Sequence, residues 1–169
     1  LFQTIRTRLG LATASMVATL ALTGIAVAQD FSRIEIKAEK LNETTWMLVG
    51  AGGNMGLSVG EDAVFLVDDQ YAPMAPKIKA AIAAITNKPV QFVMNTHFHF
   101  DHTGGNEALG QEGAIIVAHN NVRRRLSAEQ VISFAGSSAR QAASPKVALP
   151  VITVPGAISF HINGEEVQA

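Results

Sequence analysis

One feature constrains this chain more than any other. A segment with the pattern of a buried strand is followed directly by a segment rich in histidine, aspartate and glycine. Residues 90–94 are almost entirely apolar, as expected of a strand buried on both faces. The loop that follows, residues 95–106, holds three of the chain's five histidines within six positions. An exposed polar loop that gathers histidines by chance is the simplest alternative, but the spacing directly after a buried strand favours a metal site.

The spacing of the polar residues indicates two metal ions rather than one. His97 and His99 are two residues apart, so in extended backbone they point to the same side. Their imidazoles can then bind one ion at about 2.0–2.1 Å. Asp101 and His102 follow, and a tight turn allowed by the glycines at 104–105 can aim them at a neighbouring point. Phe98 and Phe100 alternate with these residues and are expected to point into the core.

The chain has no cysteine, so disulfides and thiolate ligands are excluded. A metal site must therefore use His, Asp or Glu, a donor set that suits zinc, iron or manganese. Residues 29–169 keep 11 of the 13 basic residues and all 14 acidic ones, a formal net charge of −3. This mild acidity does not favour nucleic-acid binding.

Residues 1–28 have the pattern of a signal peptide. Arg6 and Arg8 precede an apolar run over 9–28 that ends in Ala-Val-Ala, a small-x-small cleavage signature. An uncleaved membrane anchor is the alternative, because the run is about long enough to span a bilayer. The small-residue ending favours cleavage, which predicts a periplasmic or secreted protein with no stable membrane association afterwards.

The remaining residues predict antiparallel strands followed by strand–helix units. Strands are expected at 34–36, 44–49, 55–59, 63–67, 90–94, 115–118, 151–154 and 157–162, and helices at 74–85, 120–126 and 128–134, with a surface stretch at 137–149. This order predicts an α/β fold, an α+β mixed sheet with helices on one face, and leaves the other face without an evident cover. Residues 163–169 are typical of a hairpin turn and the beginning of a strand.

The His-x-His-x-Asp-His run at 97–102, followed by Thr-Gly-Gly-Asn, resembles the signature of the metallo-β-lactamase superfamily. The resemblance extends to the apolar strand that ends in Asp68, to the helix before the motif strand and to the strand ending at 117–119. It implies the first half of an αββα sandwich, with residues 29–169 as the N-terminal part of a domain truncated at its C-terminus. A second sheet would then cover the face of the first sheet that has no evident cover.

The resemblance also implies a site and a reaction. His97 and His99 would bind the first metal, and Asp101 and His102 the second, with zinc the expected ion and iron or manganese as alternatives. Asp101 would be catalytic by orienting the nucleophile, a hydroxide formed from a water shared by the ions. Asp68 matches a carboxylate that orients a metal ligand or that water, although a simple strand-end turn residue is an equal alternative.

A small molecule with an ester, lactone or amide bond is the expected substrate, and a β-lactam is one option that family resemblance does not select. The family also needs further ligands that lie later in its sequences. Of the remaining histidines, His161 is expected to be an exposed strand residue. His119 ends a buried strand at the level of the motif loop and can lie near the site, although a role as a metal ligand or as a support of one is the less favoured alternative. The 169-residue chain alone is therefore expected to be inactive, and the alternative function is an incomplete fragment that binds metal weakly. The loop at 50–54 can line the mouth of the site, but an ordinary hairpin loop is preferred.

Overall fold

A computed structural model describes residues 30–134 and 136–169, and the expected signal peptide at residues 1–28 lies outside them. The strands are β1 (Lys37–Lys40), β2 (Thr45–Val49), β3 (Met55–Val59), β4 (Val64–Val67), β5 (Phe92–Asn95), β6 (Ile115–His119), β7 (Gln130–Phe134), β8 (Ser137–Gln141), β9 (Ile152–Val154), β10 (Ser159–Ile162) and β11 (Glu165–Gln168). The helices are α1 (Ala75–Ala83), α2 (Phe100–Thr103), α3 (Asn106–Gln111) and α4 (Asn120–Leu126), with 3₁₀ turns at Ala72–Met74 and Lys146–Ala148. Within the described residues, no helix combines the length and the apolar character needed to cross a membrane.

Seven strands form one mixed sheet in the order β1-β2-β3-β4-β5-β6-β9. The first four strands pair antiparallel as successive hairpins, whereas β4, β5, β6 and β9 pair in parallel. Helix α1 connects β4 to β5, and α2 and α3 connect β5 to β6. The carboxyl ends of the parallel strands meet at one edge of the sheet, which is where open α/β sheets bind their ligands.

Alternation along the central strands divides the core between the two faces of the sheet. Leu66, Val93 and Ile116 point to the face covered by helices, where α1 contributes Ile78 and Ile82 at the predicted helical spacing. All five of these side chains are buried. The helical layer therefore packs on one face of the sheet, as the sequence predicts.

The hairpin of β10 and β11 covers part of the other face. Phe65, Met94 and Val117 point to this side and form a cluster with Ile162 of β10. Asn163 and Gly164 form the hairpin turn with φ of 55° and 77°, the left-handed pair that a two-residue type I′ turn requires. The predicted turn is thus confirmed, and the cover that the sequence did not reveal comes from the chain's own last strands.

Two sequence predictions of secondary structure are wrong. Residues 34–36 are not a strand, because the Lys77 ammonium holds this segment through the carbonyls of Phe31, Ser32 and Ile34 at 2.6–2.8 Å, and β1 begins at Lys37. Residues 130–134 form β7 rather than a helix, and they pair antiparallel with β8 inside the predicted surface stretch. Helix α4, by contrast, spans the predicted residues 120–126.

We predict that Phe65 and Phe160 stabilise the fold cooperatively, because their rings lie 4.8 Å apart in an edge-to-face arrangement. In a double-mutant cycle with Phe65→Leu and Phe160→Leu, the coupling free energy should be about 0.5–1.5 kcal/mol. Urea unfolding of the four proteins measures it. Phe65→Leu combined with Leu48→Ala, a buried residue of the helical face, should be additive. Additivity of the two phenylalanine substitutions would show that the hairpin does not pack on the sheet.

Candidate metal centre

The histidine segment lies at the carboxyl edge of the sheet, between β5 and α3. His97 and His99 follow β5 in a bent segment whose last residue, His99, has extended dihedral angles, and Asp101 and His102 lie on the single turn of α2. This turn is closed by the carbonyl of His99, which accepts the N–H of His102 at 3.0 Å, the N–H of Thr103 at 3.1 Å and the Thr103 hydroxyl at 3.1 Å. The helical turn brings the chain back on itself instead of carrying it away from His97.

As a result, His97, Asp101 and His102 form one cluster. Each offers a ligand atom, and these atoms all lie within 4.8 Å of one another. His102 Nε2 is 3.4 Å from Asp101 Oδ2, and the rings of His97 and His102 are 3.9 Å apart between centroids. The His99 ring lies 4.9 Å from the His97 ring, nearly perpendicular to it. The structure therefore brings three of the four predicted residues together, with His97 beside both members of the second predicted pair, whereas His99 lies next to the His97 ring but outside this group.

Asp68 holds the histidine segment through its carboxylate. This residue follows β4, is 4% exposed, and accepts three hydrogen bonds: from the Thr96 N–H at 2.8 Å, from the Thr96 hydroxyl at 2.8 Å and from His102 Nδ1 at 2.8 Å. An ionised carboxylate is only an acceptor, so His102 must carry its proton on Nδ1. In a neutral imidazole this leaves the lone pair on Nε2, which lies 3.4 Å from Asp101 Oδ2.

Thr96 extends the same network to His97. Its hydroxyl donates to Asp68, so towards His97 Nδ1, 3.0 Å away, it can act only as an acceptor. His97 is then protonated on Nδ1 and keeps Nε2 free. Partial burial, with the neighbouring imidazoles of His102 and His99, lowers the pKa of His97 below its ordinary value. Sequence reasoning missed Thr96, although its position between a buried strand and the first histidine is a usable signal.

Asp69, which follows Asp68 in the chain, points away from the histidines and hydrogen-bonds to the start of α3. Its Oδ1 accepts the Gly105 N–H at 2.9 Å, and its own N–H donates to the His102 carbonyl at 3.0 Å. Burial raises the pKa of Asp69 well above its usual range, and the adjacent Asp68 adds to this, against the hydrogen bond from Gly105. A Cβ at Gly105 would lie 2.8 Å from the Asp69 carbonyl oxygen, so this close approach requires glycine.

The glycine loop, residues 50–54, connects β2 to β3 and contacts the site. A Cβ at Gly52 would lie 2.8 Å from the Asp101 carbonyl oxygen, and one at Gly53 would lie 2.8 Å from His102 Cε1. The loop is thus the hairpin connection that the sequence predicts, and it also packs against Asp101 and His102. Gln70, which sequence reasoning also missed, hydrogen-bonds to the loop through both ends of its side-chain amide.

An apolar cavity of about 380 Å³ opens beside the cluster, lined by Tyr71, His99, Phe100, Asp101 and Ile132. Phe100 is 40% exposed and faces this cavity, so the prediction that it points into the core is wrong. The helical turn of α2 is the reason, because it breaks the alternation that an extended segment would keep. Phe98 does pack inward, against the cluster of Ala118, Val122 and Leu126.

The two remaining histidines, His119 and His161, lie outside the cluster of His97, Asp101 and His102. His119 caps α4 by accepting the Asn121 N–H on Nδ1 at 3.0 Å, and its Nε2 therefore donates to the Pro155 carbonyl at 3.1 Å. Both ring nitrogens are thus occupied by contacts with the backbone. His161 is exposed on β10, as predicted.

Comparison with known proteins identifies the family of this metal-ligand pattern. The profile of the metallo-beta-lactamase superfamily matches residues 42–166, which is most of the chain. The chain belongs to the metallo-beta-lactamase superfamily. Among curated proteins, none matches it.

Solved structures of metallo-beta-lactamases share the fold. A metallo-beta-lactamase of Cronobacter sakazakii with a HARLDQ motif has a TM-score of 0.63 at 21% identity, over 77% of this chain and 50% of the other. MIM-1 of Novosphingobium pentaromativorans has a TM-score of 0.61 at 23% identity, over 73% and 46%. MEM-A1, a subclass B3 enzyme from a soil metagenome library, has a TM-score of 0.52 at 25% identity, over 57% and 38%. The chain thus spans half or less of these metallo-beta-lactamases, and the predicted mixed sheet of this fold is confirmed.

We predict that Asp69→Asn changes how stability depends on pH. The unfolded chain releases the Asp69 proton near a pKa of about 3.9, whereas the folded protein keeps it to higher pH. The folded state therefore binds more protons above that pH, and stability falls as pH rises. Asparagine keeps an oxygen for the Gly105 N–H and cannot ionise. Relative to the unmutated protein, the variant should gain free energy of unfolding between about pH 4 and 7.

Urea unfolding of the metal-free protein at several pH values measures this difference. Glu61→Gln, which neutralises an exposed turn residue, is the control for the loss of one negative charge. A difference between Asp69→Asn and the unmutated protein that is constant across this pH range would contradict the assignment of a buried, protonated carboxyl.

Proposed function

We propose that the full-length protein is a metal-dependent hydrolase with a dinuclear zinc site. In this proposal His97 and His99 bind one ion, and Asp101 and His102 bind the second. The cluster of His97, Asp101 and His102 within 4.8 Å is the observation that carries the proposal, because it puts residues of both proposed pairs next to one another. Membership of the superfamily supports the metal-dependent hydrolase class.

The chain's own residues fit such ions. Asp68 and Thr96 place the protons of His102 and His97 on Nδ1, so the Nε2 atoms of both rings are available as ligands. A ligand histidine that donates its other ring N–H to a carboxylate or hydroxyl is the usual arrangement around zinc. Imidazole and carboxylate donors also accept iron or manganese, so zinc is preferred rather than required.

When bound, a pair of divalent ions supplies a Lewis acid and lowers the pKa of water to near neutrality. Around them, Asp101 orients the attacking water through its carboxylate, and Asp68 keeps the His102 ring in its productive tautomer. The lowered pKa of His97 keeps its imidazole neutral, and hence able to bind a cation, to lower pH than an exposed histidine. The apolar cavity at Tyr71 and Phe100 offers space for the rest of a substrate.

The proposed substrate is a small molecule with an ester, lactone or amide bond, and a β-lactam is one candidate. The names of the similar solved structures describe metallo-beta-lactamases, which supports a carbonyl substrate. The apolar run and Ala-Val-Ala ending of residues 1–28 support export, to the periplasm or outside the cell, without stable membrane association after cleavage. The mildly negative net charge does not favour a nucleic-acid partner.

His97→Ala in the full-length protein should lower the zinc content by about one ion per chain, because one of the two histidines of the first site is removed. Zinc per chain is measured by elemental analysis after dialysis. Hydrolysis of a panel of esters, lactones and β-lactams, with and without chelator, tests the reaction in the same preparations. His161→Ala is the matched control, since this histidine is exposed and lies on β10.

Unchanged zinc content in the His97→Ala protein would remove His97 from the ligand set. A full-length protein that binds zinc but hydrolyses nothing in the panel would support the incomplete, metal-binding alternative. Hydrolysis that survives complete removal of metal would contradict the metal-dependent reaction.

Asp68→Asn should weaken zinc binding by about 10–100-fold, because the one oxygen of the amide cannot accept the Thr96 N–H at the Oδ1 position and the Thr96 hydroxyl and His102 N–H at the Oδ2 position, and the amide NH₂ would face one of these donors. Competition with a chromogenic chelator measures the dissociation constant. Asp62→Asn is the control, because the Asp62 carboxylate also accepts a backbone N–H, that of Asn163, but lies far from the histidines. This variant should leave zinc affinity unchanged. Equal zinc affinity of Asp68→Asn and the unmutated protein would show that Asp68 is only a turn residue.

A further inference from the structure

Gln70 is a buried polar residue in an unfavourable backbone conformation. Its side chain is 0% exposed, and its φ is 55°, in the left-handed region that residues with a Cβ seldom adopt. A buried amide is costly unless its donors and acceptors are satisfied. Such a residue persists where the surrounding structure determines its conformation, and such positions concentrate at functional sites.

The side-chain amide of Gln70 forms its hydrogen bonds with the backbone of the glycine loop at 50–54. Its Nε2 donates to the Gly53 carbonyl at 2.6 Å, and its Oε1 accepts the Ala51 N–H at 3.1 Å. A Cβ at Gly50 would lie 2.5 Å from Oε1, so the loop backbone packs directly on the amide. These contacts fix the position of the loop relative to the carboxyl edge of the sheet.

The other side of the same loop packs on a predicted metal ligand. A Cβ at Gly53 would lie 2.8 Å from His102 Cε1 and 3.4 Å from His102 Nε2. Cε1 is the carbon between the two ring nitrogens, so the loop lies against the edge of the imidazole that carries both of them. Asp68 holds Nδ1 of this ring, and Gly53 limits the direction in which Nε2 can turn.

We propose that Gln70 is a positioning residue for the second metal: through Gly53 it holds the His102 ring so that Nε2 faces Asp101. This inference rests on the proposed function, because it concerns a ligand of the proposed dinuclear site. Gln70 touches neither metal ligand through its own side chain, and its effect is transmitted by the glycine loop. The backbone of Gln70 also contacts the end of α2, because its carbonyl accepts the N–H of Gly104, the residue after this helix, at 2.7 Å.

The chain contains a matched control for Gln70. Asn163 also has a φ of 55°, and its side-chain amide also binds backbone, with Oδ1 accepting the Ala63 N–H at 3.2 Å and Nδ2 donating to the Ala63 carbonyl at 3.0 Å. It lies in the turn between β10 and β11 and ties that turn to the beginning of β4. Substitution there removes a similar set of hydrogen bonds without reaching the histidines.

The experiment uses the full-length protein loaded with Co²⁺, whose visible absorption reports the geometry of its ligands. Gln70→Leu should shift or weaken the Co²⁺ absorption bands and raise the dissociation constant of one of the two ions by about 10-fold, the range found for residues that orient a ligand. Asn163→Leu should lose comparable stability in urea and keep both the spectrum and the Co²⁺ affinity of the unmutated protein.

A second pair of variants tests the contact from the side of the loop. Gly53 has no left-handed φ, so Gly53→Ala is compatible with its backbone and conflicts only with the His102 ring. This variant should change the Co²⁺ spectrum in the same way as Gln70→Leu. Gly56→Ala, where a Cβ would make ordinary contacts of 3.5 Å with Val67, should leave the spectrum unchanged.

An unchanged Co²⁺ spectrum and affinity in folded Gln70→Leu protein would overturn the inference. If Gln70→Leu does not fold, Gly53→Ala decides, and an unchanged spectrum in that variant overturns the inference equally. Equal spectral changes in Asn163→Leu would reduce Gln70 to a purely structural role and overturn it as well. Failure of the unmutated protein to bind Co²⁺ would instead overturn the proposed function, and the inference with it.

Discussion

The carboxylate of Asp68 is the interaction on which the site depends. A nearly buried carboxylate is stable only when it is well hydrogen-bonded, and here its donors are the backbone and hydroxyl of Thr96 and the ring of His102. These donors come from the residue that follows β5 and from α2. One charged group at the end of β4 thus fixes both the path of the histidine segment and the tautomers of its rings.

The turn after β4 distributes three polar side chains in three directions. Asp68 and Gln70 both have positive φ, with values of 60° and 55°, and Asp69 lies between them. Asp68 reaches the histidines, Asp69 reaches Gly105 at the start of α3, and Gln70 reaches the glycine loop. A regular strand or helix would not direct three consecutive side chains to three separate loops. The backbone strain of this turn is therefore offset by hydrogen bonds to the loops around the site.

Predictions from the sequence were accurate where the determining interactions are local. The spacing of Ile78 and Ile82, the apolar runs of β3 and β4, and the Asn163–Gly164 turn depend on neighbouring residues, and each is found in the structure. Residues 128–134 were misassigned because β7 is stabilised by its partner strand β8, which helical periodicity does not consider. Gln70 was missed because its partners are backbone groups 17 and 19 residues away, which carry no side-chain signal.

The grouping of the site residues shows how a short helix changes a prediction from spacing. Extended backbone would place Asp101 and His102 beyond His99 and away from His97, which is why the sequence suggests two separate pairs. The hydrogen bonds of His102 and Thr103 to the His99 carbonyl replace this extension with one helical turn. Because a turn advances only about 1.5 Å per residue, Asp101 and His102 stay beside His97. The same turn exposes Phe100 to the cavity, so the compact cluster and its apolar wall have one cause.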